Sequence, residues 1–485
     1  MQRRQNMGTK YPEWVNKCKR KGTAVHKIGN NFYLYAVGSK WDKKLGRAKK
    51  ITKEYLGVIT PDGLKEPGYR RNKVTDVKEY GSSNLLQSDN KDIVTNLKEY
   101  LGDWWKELFV LSVMRLMHQC PLKNVRLHYQ DSWLSETIQD AKLDEHSIHK
   151  LLEDVGRWRG DIVRFLKAMT KSRQDTVLID LTHMFSLSEN MDLPAKGFNR
   201  NFDYTPQVNL LVMFSPEQKM PLFYRVLPGN IRDVSSLKST IEESGISNAT
   251  IIGDKGFYSE NNIALLEKEQ LKYILPLKRN NNLIDYQLIE NGDKKKFDGY
   301  FKYNGRFIWY YKCKSSNKKT NVWVYLDEIL KTKESQDYLG RIETHPEFGY
   351  SKNKFHQNET RFGTITLTTN LRASQGKEVF QCFKSRVEIE ILFDAFKNIL
   401  HADRSYMRSN ASLETWIFIN YLSIIYYYRI YQKLIAAESL DKYSVNDVLL
   451  YLSKIRKVKI SNHWIDLEIP KPTQKIIEKL NLHIT

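Results

Sequence analysis

The sequence predicts a multidomain α/β protein, and three features of the chain indicate this fold class. Short apolar runs, typical of buried strands, alternate with helical patterns between residues 173 and 279. Strand-like alternation opens the chain, and a long stretch with apolar residues at helical spacing follows it. The chain has 485 residues, which corresponds to about three domains at roughly 150 residues each.

Residues 1–85 are predicted to form a β-rich N-terminal module. The segment NFYLYAV from Asn31 has the alternation of a strand, the basic turn WDKKLGRAKK follows it, and Ile51–Ile59 is predicted to be the returning strand. The polar stretch at residues 80–93 is predicted to be a linker.

Residues 90–172 are predicted to be a helical, DNA-binding region. Within it, Ser132–Val155 has the pattern of two short helices joined by a turn. This pattern is compatible with a DNA-reading helix-turn-helix and with an ordinary helical hairpin, and we favour the hairpin because it is the commoner of the two.

Residues 173–279 and 361–437 are predicted to form one α/β core, interrupted at 280–360 by a polar, Lys-rich and mainly β insertion. The predicted strands of the core are Thr176–Leu181, Val208–Phe214, Leu222–Leu227, Thr250–Asp254, Lys272–Leu277 and Thr364–Thr369. Its predicted helices are Asp233–Glu243, Glu260–Gln270, about Lys377–Leu400 and Leu413–Ala437. Residues 438–485 are predicted to be a basic helical tail.

The composition favours a polyanionic partner in a reducing compartment. The 77 Lys and Arg against 56 Asp and Glu give a net charge of +21, which favours nucleic acid without requiring it. The 4 cysteines are far apart and form neither a disulfide framework nor a zinc motif. No secretory signal opens the chain, and the apolar segment Trp416–Tyr428 is shorter than the roughly 18–20 residues of a membrane span, so we expect a buried helix and no membrane partner.

Two aspartates stand at positions where a carboxylate needs a partner. Asp180 lies inside the apolar run VLIDL, and Asp254 ends the run TIIGD. A buried carboxylate is costly unless it is paired. A divalent cation would pair it, and so would a nearby arginine, a backbone N–H group or a role as a helix cap.

A polar stripe is predicted on the helix that follows the insertion. On an ideal helix Arg386, Glu390 and Lys397 fall within about 40° of one another, whereas Glu388 falls about 200° from Arg386. The stripe is compatible with a functional surface and equally with an exposed ladder of ion pairs.

These residues resemble the signature of the insertion-sequence DDE transposases. The spacing Phe383-x2-Arg386-x3-Glu390-x6-Lys397 is similar to the family pattern Tyr-x2-Arg-x3-Glu-x6-Lys. Phe383 replaces the family's tyrosine, which puts any role of that hydroxyl in doubt and leaves the acidic position unchanged.

Four further segments support the resemblance, in the order in which the family has them. IDLTHMFS resembles the strand of the first aspartate, and GDKGFYSENN resembles the turn of the second, with Lys255 in place of the usual arginine. The stretch Pro228-Gly229-Asn230-x2-Asp233 and the N-terminal YLYAVGSKWDKK…YLGVI resemble recurrent family segments. The similarity therefore extends over most of the chain.

The resemblance implies a ribonuclease-H-like catalytic core in which the two aspartate strands are neighbours and a helix supplies the glutamate. It implies that Asp180, Asp254 and Glu390 are catalytic and hold two Mg²⁺ ions, for which Mn²⁺ can substitute, and that Arg386 and Lys397 bind DNA. Water then cuts the transposon end, and the freed 3′-hydroxyl attacks the target. The implied partners are double-stranded DNA, as terminal inverted repeats and target, and a second copy of the chain in a synaptic homodimer. The implied location is the prokaryotic cytoplasm, at the nucleoid.

Two other functions stay open on the sequence. A metal-dependent DNA nuclease on the same core would cut without joining, and a catalytically inactive derivative would bind DNA alone. An RNA-binding role agrees with the charge, although no RNA-binding motif is visible.

Overall fold

A computed structural model describes the chain over residues 11–42, 46–67, 74–170, 176–197, 205–231, 233–314, 320–372 and 375–484. Two compact units divide it. The first comprises Met1–Glu79 and Ile455–Ile469, and the second comprises Tyr80–Lys454 and Pro470–Thr485.

The secondary structure mixes many helices with a large sheet. The helices are α1 Glu13–Lys17, α2 Gly81–Asp89, α3 Lys91–Leu101, α4 Trp105–His118, α5 Val125–Asp131, α6 Leu134–Thr137, α7 Glu145–Arg157, α8 Arg159–Met169, α9 Asp233–Ser244, α10 Glu260–Lys268, α11 Gln287–Glu290, α12 Glu328–Thr344, α13 Lys352–Glu359, α14 Gly376–Lys384, α15 Val387–Asp394, α16 Asn410–Ala436, α17 Val445–Leu452 and α18 Lys471–Lys479. The strands are β1 Thr23–Ile28, β2 Asn31–Asp42, β3 Arg47–Thr60, β4 Gly63–Lys65, β5 Val74–Glu79, β6 Thr176–Ser186, β7 Gln207–Ser215, β8 Met220–Pro228, β9 Thr250–Ile252, β10 Lys272–Pro276, β11 Gly299–Tyr303, β12 Arg306–Lys312, β13 Asn321–Asp327, β14 Thr364–Thr369, β15 Arg404–Ser405, β16 Arg456–Ile460 and β17 His463–Asp466.

The first unit consists of two antiparallel sheets. One has the strand order β1-β2-β3-β4, and the other has the order β17-β16-β5. Apolar side chains of alternating strand positions form its core together with one side chain of α1; they are Val15, Val25, Phe32, Leu34 and Ile59. The β2–β3 hairpin is the one that the alternating pattern predicts.

The second unit is built on a ten-stranded sheet with the path β11-β12-β13-β14-β10-β9-β6-β7-β8, from which β15 pairs with β6. The aspartate strands β6 and β9 are parallel neighbours, as expected. Every residue of β7 is buried, so the sheet is covered on both faces.

Helix α16 is the long apolar helix predicted near the C-terminal end of the core. It spans 27 residues and is buried over most of its length. Thr415 donates a hydrogen bond to the Leu152 carbonyl of α7 at 2.7 Å, and Ser423 donates one to the Ser112 carbonyl of α4 at 2.8 Å. Among the described residues, the helices do not combine the length and apolarity that crossing a bilayer requires.

The predicted linker at residues 80–93 is wrong, because α2 and α3 occupy this stretch. Leu85 and Leu86 are each 1% exposed, and Ser82 donates a hydrogen bond to the Leu449 carbonyl at 2.9 Å. Burial against distant residues therefore orders a segment whose composition is polar.

The predicted helix-turn-helix pair at Ser132–Val155 differs from the structure in its first member. Helix α6 has four residues, which is little more than one turn. Helix α7 has 13 residues, and its apolar face is buried, as in an ordinary helical hairpin.

The mainly β description of residues 280–360 holds only to Asp327. Strands β11–β13 continue the large sheet through β14 and do not form a sheet of their own. Asp327 then caps α12, because its carboxylate accepts the Leu330 N–H at 3.0 Å, and α12 and α13 make residues 328–359 largely helical.

The tail at 438–485 is likewise not helical throughout. Between α17 and α18, β16 and β17 form a hairpin around Ser461 and Asn462, whose φ angles of 49° and 69° suit a tight two-residue turn. Strand β16 of this hairpin pairs with β5. The two strands are distant in the sequence, so local composition does not predict this pairing.

Candidate functional site

The site begins where β6 lacks a strand neighbour on one side. β9 pairs with β6 at Thr176–Leu178, and β15 pairs with it at Phe185 and Ser186. β7 runs along the other edge, and a strand has two edges only. Within the described residues, the stretch from Ile179 to Met184 therefore borders an opening in the sheet, and Asp180 lies in that stretch.

Asp254 lies at the mouth of the same opening, two residues beyond the end of β9. Gly253 allows the backbone before Asp254 to pack closely, because a Cβ at this position would lie 3.0 Å from Phe257 Cδ2 and 3.2 Å from Leu275 Cδ2. The Asp254 carbonyl accepts the Phe257 N–H at 2.9 Å, which fixes the turn. The side chain of Asp254 is 42% exposed and remains accessible to a ligand.

Arg386 connects the two aspartates. Its Nη2 donates to Asp180 Oδ2 at 3.0 Å, and its Nη1 donates to Asp254 Oδ1 at 3.3 Å. The Arg386 side chain is 15% exposed, and its guanidinium carbon lies 5.8 Å from the centre of the Phe383 ring. The ring of Phe383 thus supports the arginine, a contact that the missing tyrosine hydroxyl does not affect.

The buried Nε of Arg386 has no hydrogen-bond partner in the described part of the chain. The two carboxylates therefore provide the hydrogen bonds that hold this guanidinium.

Burial raises the pKa of Asp180, and the nearby Asp254 charge adds to that rise. The Arg386 guanidinium and the Leu181 N–H, which donates to Asp180 Oδ1 at 2.9 Å, oppose it. The net direction is upward, so the folded chain pays a desolvation penalty to keep this carboxylate ionised.

The predicted continuous helix at Lys377–Leu400 is wrong, because it breaks before and after α15. Ser385 donates its hydroxyl to the Cys382 carbonyl at 2.7 Å, and the Arg386 and Glu388 N–H groups bond three residues back. Such bonds tighten the turn to the 3₁₀ type. The segment Ala395–Ile399 is then a π-helix, so a constant 100° per residue does not apply across this region.

Arg115 supports the end of this segment from α4. It is 5% exposed, and it donates to the Leu400 carbonyl and, at 2.8 Å, to the Cys120 carbonyl. It also donates to Asn420 Oδ1 of α16 at 3.0 Å. The π-helix is therefore fixed to the buried helices, and Lys397 lies half-buried within it.

The structure does not gather Glu390 with the two aspartates. Glu390 is exposed on α15, and no group of three or more His, Cys, Asp or Glu side chains among the described residues is placed to hold a metal ion. Glu388 is in a different environment, since its Oε1 lies 2.7 Å from Lys219 Nζ and its side chain is 17% exposed.

Lys384 is a charged neighbour of Arg386 that sequence reasoning missed, because its position two residues before Arg386 is its only signal. Burial lowers its pKa, and Arg306 and Arg386 add to that effect, whereas Asp327 and Glu390 oppose it. Glu390 and Arg386 thus both act electrostatically on this ammonium group, which adds a second positive charge to the segment that carries Arg386.

The donor set suits a hard divalent cation. Two carboxylates at an accessible edge fit Mg²⁺ or Mn²⁺, since Mg²⁺ is commonly held by one or two carboxylates and retains several waters. Asp180 and Asp254 are the residues that would hold such an ion, and Arg386 lies between them.

The two tryptophans of the insertion have packing roles. Trp323 is 8% exposed, and Trp309 packs against the core of the insertion. Among the nearby lysines, Lys294 and Lys296 have acidic partners, at 2.5 Å from Glu328 and 2.7 Å from Asp293. Lys318 and Lys319, which with Lys294–Lys296 could form a basic track for phosphates, lie outside the described residues.

Comparison with known proteins adds a family match. The model of the family described as "Transposase DDE domain" matches residues 171–426. Among solved structures, the chain is similar to the transposase in "Cryo-EM structure of piggyBac transposase synaptic complex with hairpin DNA", with 13% identity, a TM-score of 0.42, and coverage of 77% of this chain and 76% of that one. No curated protein matches the sequence.

Proposed function

The chain belongs to the family of transposases with a DDE domain, and we propose that it cuts DNA at transposon ends and joins the freed 3′-hydroxyl to target DNA. The observation that carries this proposal is the pair Asp180 and Asp254, which meet through Arg386 at the opening between β9 and β15. Duplex DNA is the polyanion that the net charge of +21 suits, with terminal inverted repeats as the cleaved sites and a homodimer holding two ends.

Phosphodiester cleavage requires an activated nucleophile and a stabilised leaving oxygen. Two Mg²⁺ ions, or Mn²⁺ in their place, would supply both. Asp180 and Asp254 would hold them, with Glu390 as the third carboxylate. A modest movement of the segment after the Ser385 turn, on binding DNA, would bring Glu390 toward the pair.

The basic residues of the site orient the DNA strand. Arg386 offers a planar, permanently charged group that matches a phosphate, and Lys384 and Lys397 add point charges on the same segment. These contacts place the scissile phosphate against the aspartate pair, so that attack occurs in line.

The proposal is tested with labelled transposon-end DNA, purified protein and Mg²⁺. Nicking at the end followed by joining of precut 3′-ends to a plasmid is the expected result. Cutting without joining would instead favour the metal-dependent nuclease, and end binding with no cutting in Mg²⁺ or Mn²⁺ would favour the inactive derivative. The end sequence comes from the inverted repeats that flank the gene.

The two glutamates of α15 are expected to have opposite phenotypes. Glu390→Gln should lose strand cleavage, by roughly 10²-fold or more for a lost cation ligand, and keep its stability because this side chain is exposed. Glu388→Gln should keep cleavage and lose about 1–2 kcal/mol of unfolding free energy, because Lys219 loses a largely buried charged partner. End-cleavage rates and urea denaturation measure the two effects. Cleavage that survives Glu390→Gln and is lost in Glu388→Gln would show that the acidic ligand is misassigned.

A further inference from the structure

The β2–β3 hairpin extends beyond the sheet to which it belongs. β1 pairs with β2 only up to Ala36, and β4 pairs with β3 only at Val58–Thr60. The pairing of β2 with β3 continues from Gly38–Ile51 to Asp42–Arg47. These residues, 38–42 and 47–51, form a two-stranded β-ribbon about 17 Å long at roughly 3.3 Å per residue.

The β-ribbon carries a concentrated positive charge. From Gly38 to Lys53 the sequence has a single acid, Asp42. Its basic residues are Lys40, Lys43, Lys44, Arg47, Lys49, Lys50 and Lys53, and of these Lys43 and Lys44 lie outside the described residues. All of the described basic side chains are exposed, so the charge faces solvent.

One face of the β-ribbon places like charges directly opposite each other. Lys40 pairs with Lys49 in the register, and such a pair destabilises a hairpin by about 0.2–1 kcal/mol. Lys53 extends over the same face, because a Cβ on Gly38 would lie 2.5 Å from its Cε and 3.1 Å from its Nζ. The pair Asp42 and Arg47 lies on the same face, so four cations share it with one acid. Repulsion among these cations disfavours folding, and an anion bound to this face would offset it.

The opposite face carries an exposed aromatic ring. Trp41 is 64% exposed and stands opposite Ala48, which leaves its indole ring uncovered across the ribbon. Its neighbour pair is Ser39 with Lys50. This face therefore offers one apolar surface and one cation, and it adds little to the stability of the module.

We infer that the β-ribbon is a DNA-binding arm that enters the major groove of a duplex, with Lys40, Lys49 and Lys53 toward the phosphates. The major groove of B-DNA is about 12 Å wide and admits a two-stranded ribbon. The inference rests on the proposed function, which makes duplex DNA the polyanion that this chain meets. It adds a point of attachment outside the catalytic unit, carried by the N-terminal module.

The test uses the full-length chain and the variant Lys40→Gln/Lys49→Gln. Fluorescence anisotropy of a labelled 30-base-pair duplex, measured over a series of KCl concentrations, gives affinity and its salt dependence. Each phosphate contact contributes about 0.9 to the slope of log K against log[salt], so the variant should lower the slope by about 1.8 and weaken binding at least tenfold. The matched control Lys17→Gln/Lys65→Gln removes two exposed lysines of the same module away from the β-ribbon and should change neither quantity.

Two further readouts, together with the DNA-binding data, complete the test. The variant should melt at the same temperature as the wild type or higher, because a like-charge pair is removed, so that a binding defect is not a folding defect. Duplex RNA has a deep, narrow major groove that side chains cannot read, so its binding should not change; an equal loss on RNA would overturn the groove assignment. Unchanged salt slope and DNA affinity in the variant would overturn the arm itself.

The arm and the proposed function fail separately. A wild-type chain that cuts ends while the β-ribbon variant binds them normally refutes the arm alone. A β-ribbon variant that loses DNA binding, beside a wild type that cuts no DNA, refutes the transposase proposal and leaves the arm intact.

Discussion

Replacing Asp180 or Asp254 with asparagine is expected to reduce strand cleavage by about 10³-fold or more and to leave binding of end DNA within about threefold of the wild type. Each substitution keeps the shape of the side chain and removes one of the two carboxylates that meet at Arg386. A lost cation ligand removes several kcal/mol of transition-state stabilisation, and each 1.36 kcal/mol is a factor of ten in rate. Single-turnover cleavage of labelled ends and anisotropy of the same DNA measure the two quantities.

Asp180→Asn has a second expected effect, on stability in metal-free buffer. Because burial raises the pKa of Asp180, the folded state binds this proton more readily than the unfolded state does. The free energy of unfolding therefore falls as the pH rises from the ordinary value of 3.8 through the raised pKa, and the full cost is present above that raised pKa. The neutral asparagine avoids that cost, so urea denaturation at pH 7 with EDTA should give an equal or greater free energy of unfolding.

The exposed Asp441 provides the matched control. Asp441→Asn should cut and unfold like the wild type. Normal cleavage by both aspartate variants would contradict the site, whereas a loss of cleavage together with a large loss of stability in Asp180→Asn would indicate a structural role for this residue.

The aspartate strands were predictable because their signals are local. A short apolar run that contains or ends at one acid identifies both β6 and β9. A buried strand requires such an apolar run whichever strand lies beside it. The same reasoning predicted α16, whose apolar residues occupy all sides. These elements are the ones in which local pattern and tertiary burial agree.

The phase of Glu390 was not predictable from an ideal helix. The hydroxyl of Ser385 bonds to the Cys382 carbonyl, and the tightened turn at this point shifts every later side chain, including Glu390. The π-helix at Ala395–Ile399 follows Glu390 and affects the phase of Lys397 alone among the predicted site residues. Serine hydroxyls compete with the backbone in this way, but nothing in a sequence says at which serine they do so.

The misassigned segments depend on distant partners. Leu85 and Leu86 order α2 only because other parts of the second unit bury them, and β11–β13 join the large sheet only through β14. Periodicity within a window identifies an element and does not identify the strand with which it pairs. The Arg386 bridge also depends on distant partners. Arg386 lies 132 positions from Asp254 and 206 positions from Asp180 along the chain.

Arg386→Gln is expected to bind Mn²⁺ at least tenfold more tightly than the wild type when DNA is absent. The guanidinium lies 3.0 Å from one carboxylate and 3.3 Å from the other, where a cation held by both would also lie. A unit positive charge at about 4 Å opposes another by about 4 kcal/mol at the effective dielectric constant near a protein surface. Relief of one third of that repulsion is enough for a factor of ten. The paramagnetic resonance signal of free Mn²⁺ measures the affinity without any cleavage assay.

Two controls separate charge from shape. Arg386→Lys keeps the positive charge and should bind Mn²⁺ about as weakly as the wild type. Arg404→Gln removes an arginine that is 65% exposed and bonded to neither aspartate of the pair, and it should also match the wild type. Equal Mn²⁺ affinity in the glutamine and lysine variants at position 386 would refute the competition.

DNA should then promote cation binding in the wild type alone. Two carboxylates provide the hydrogen bonds of Arg386, since its buried Nε has no partner within the described residues, and a phosphate of the end DNA offers it a competing anion. Once the arginine turns to the phosphate, both carboxylates face the cation, so end DNA should tighten Mn²⁺ binding. By reciprocity Mn²⁺ should tighten DNA binding by the same factor. The Arg386→Gln variant has no guanidinium that could move from the carboxylates to a phosphate. If DNA tightens Mn²⁺ binding equally in this variant, the arginine does not couple the two ligands.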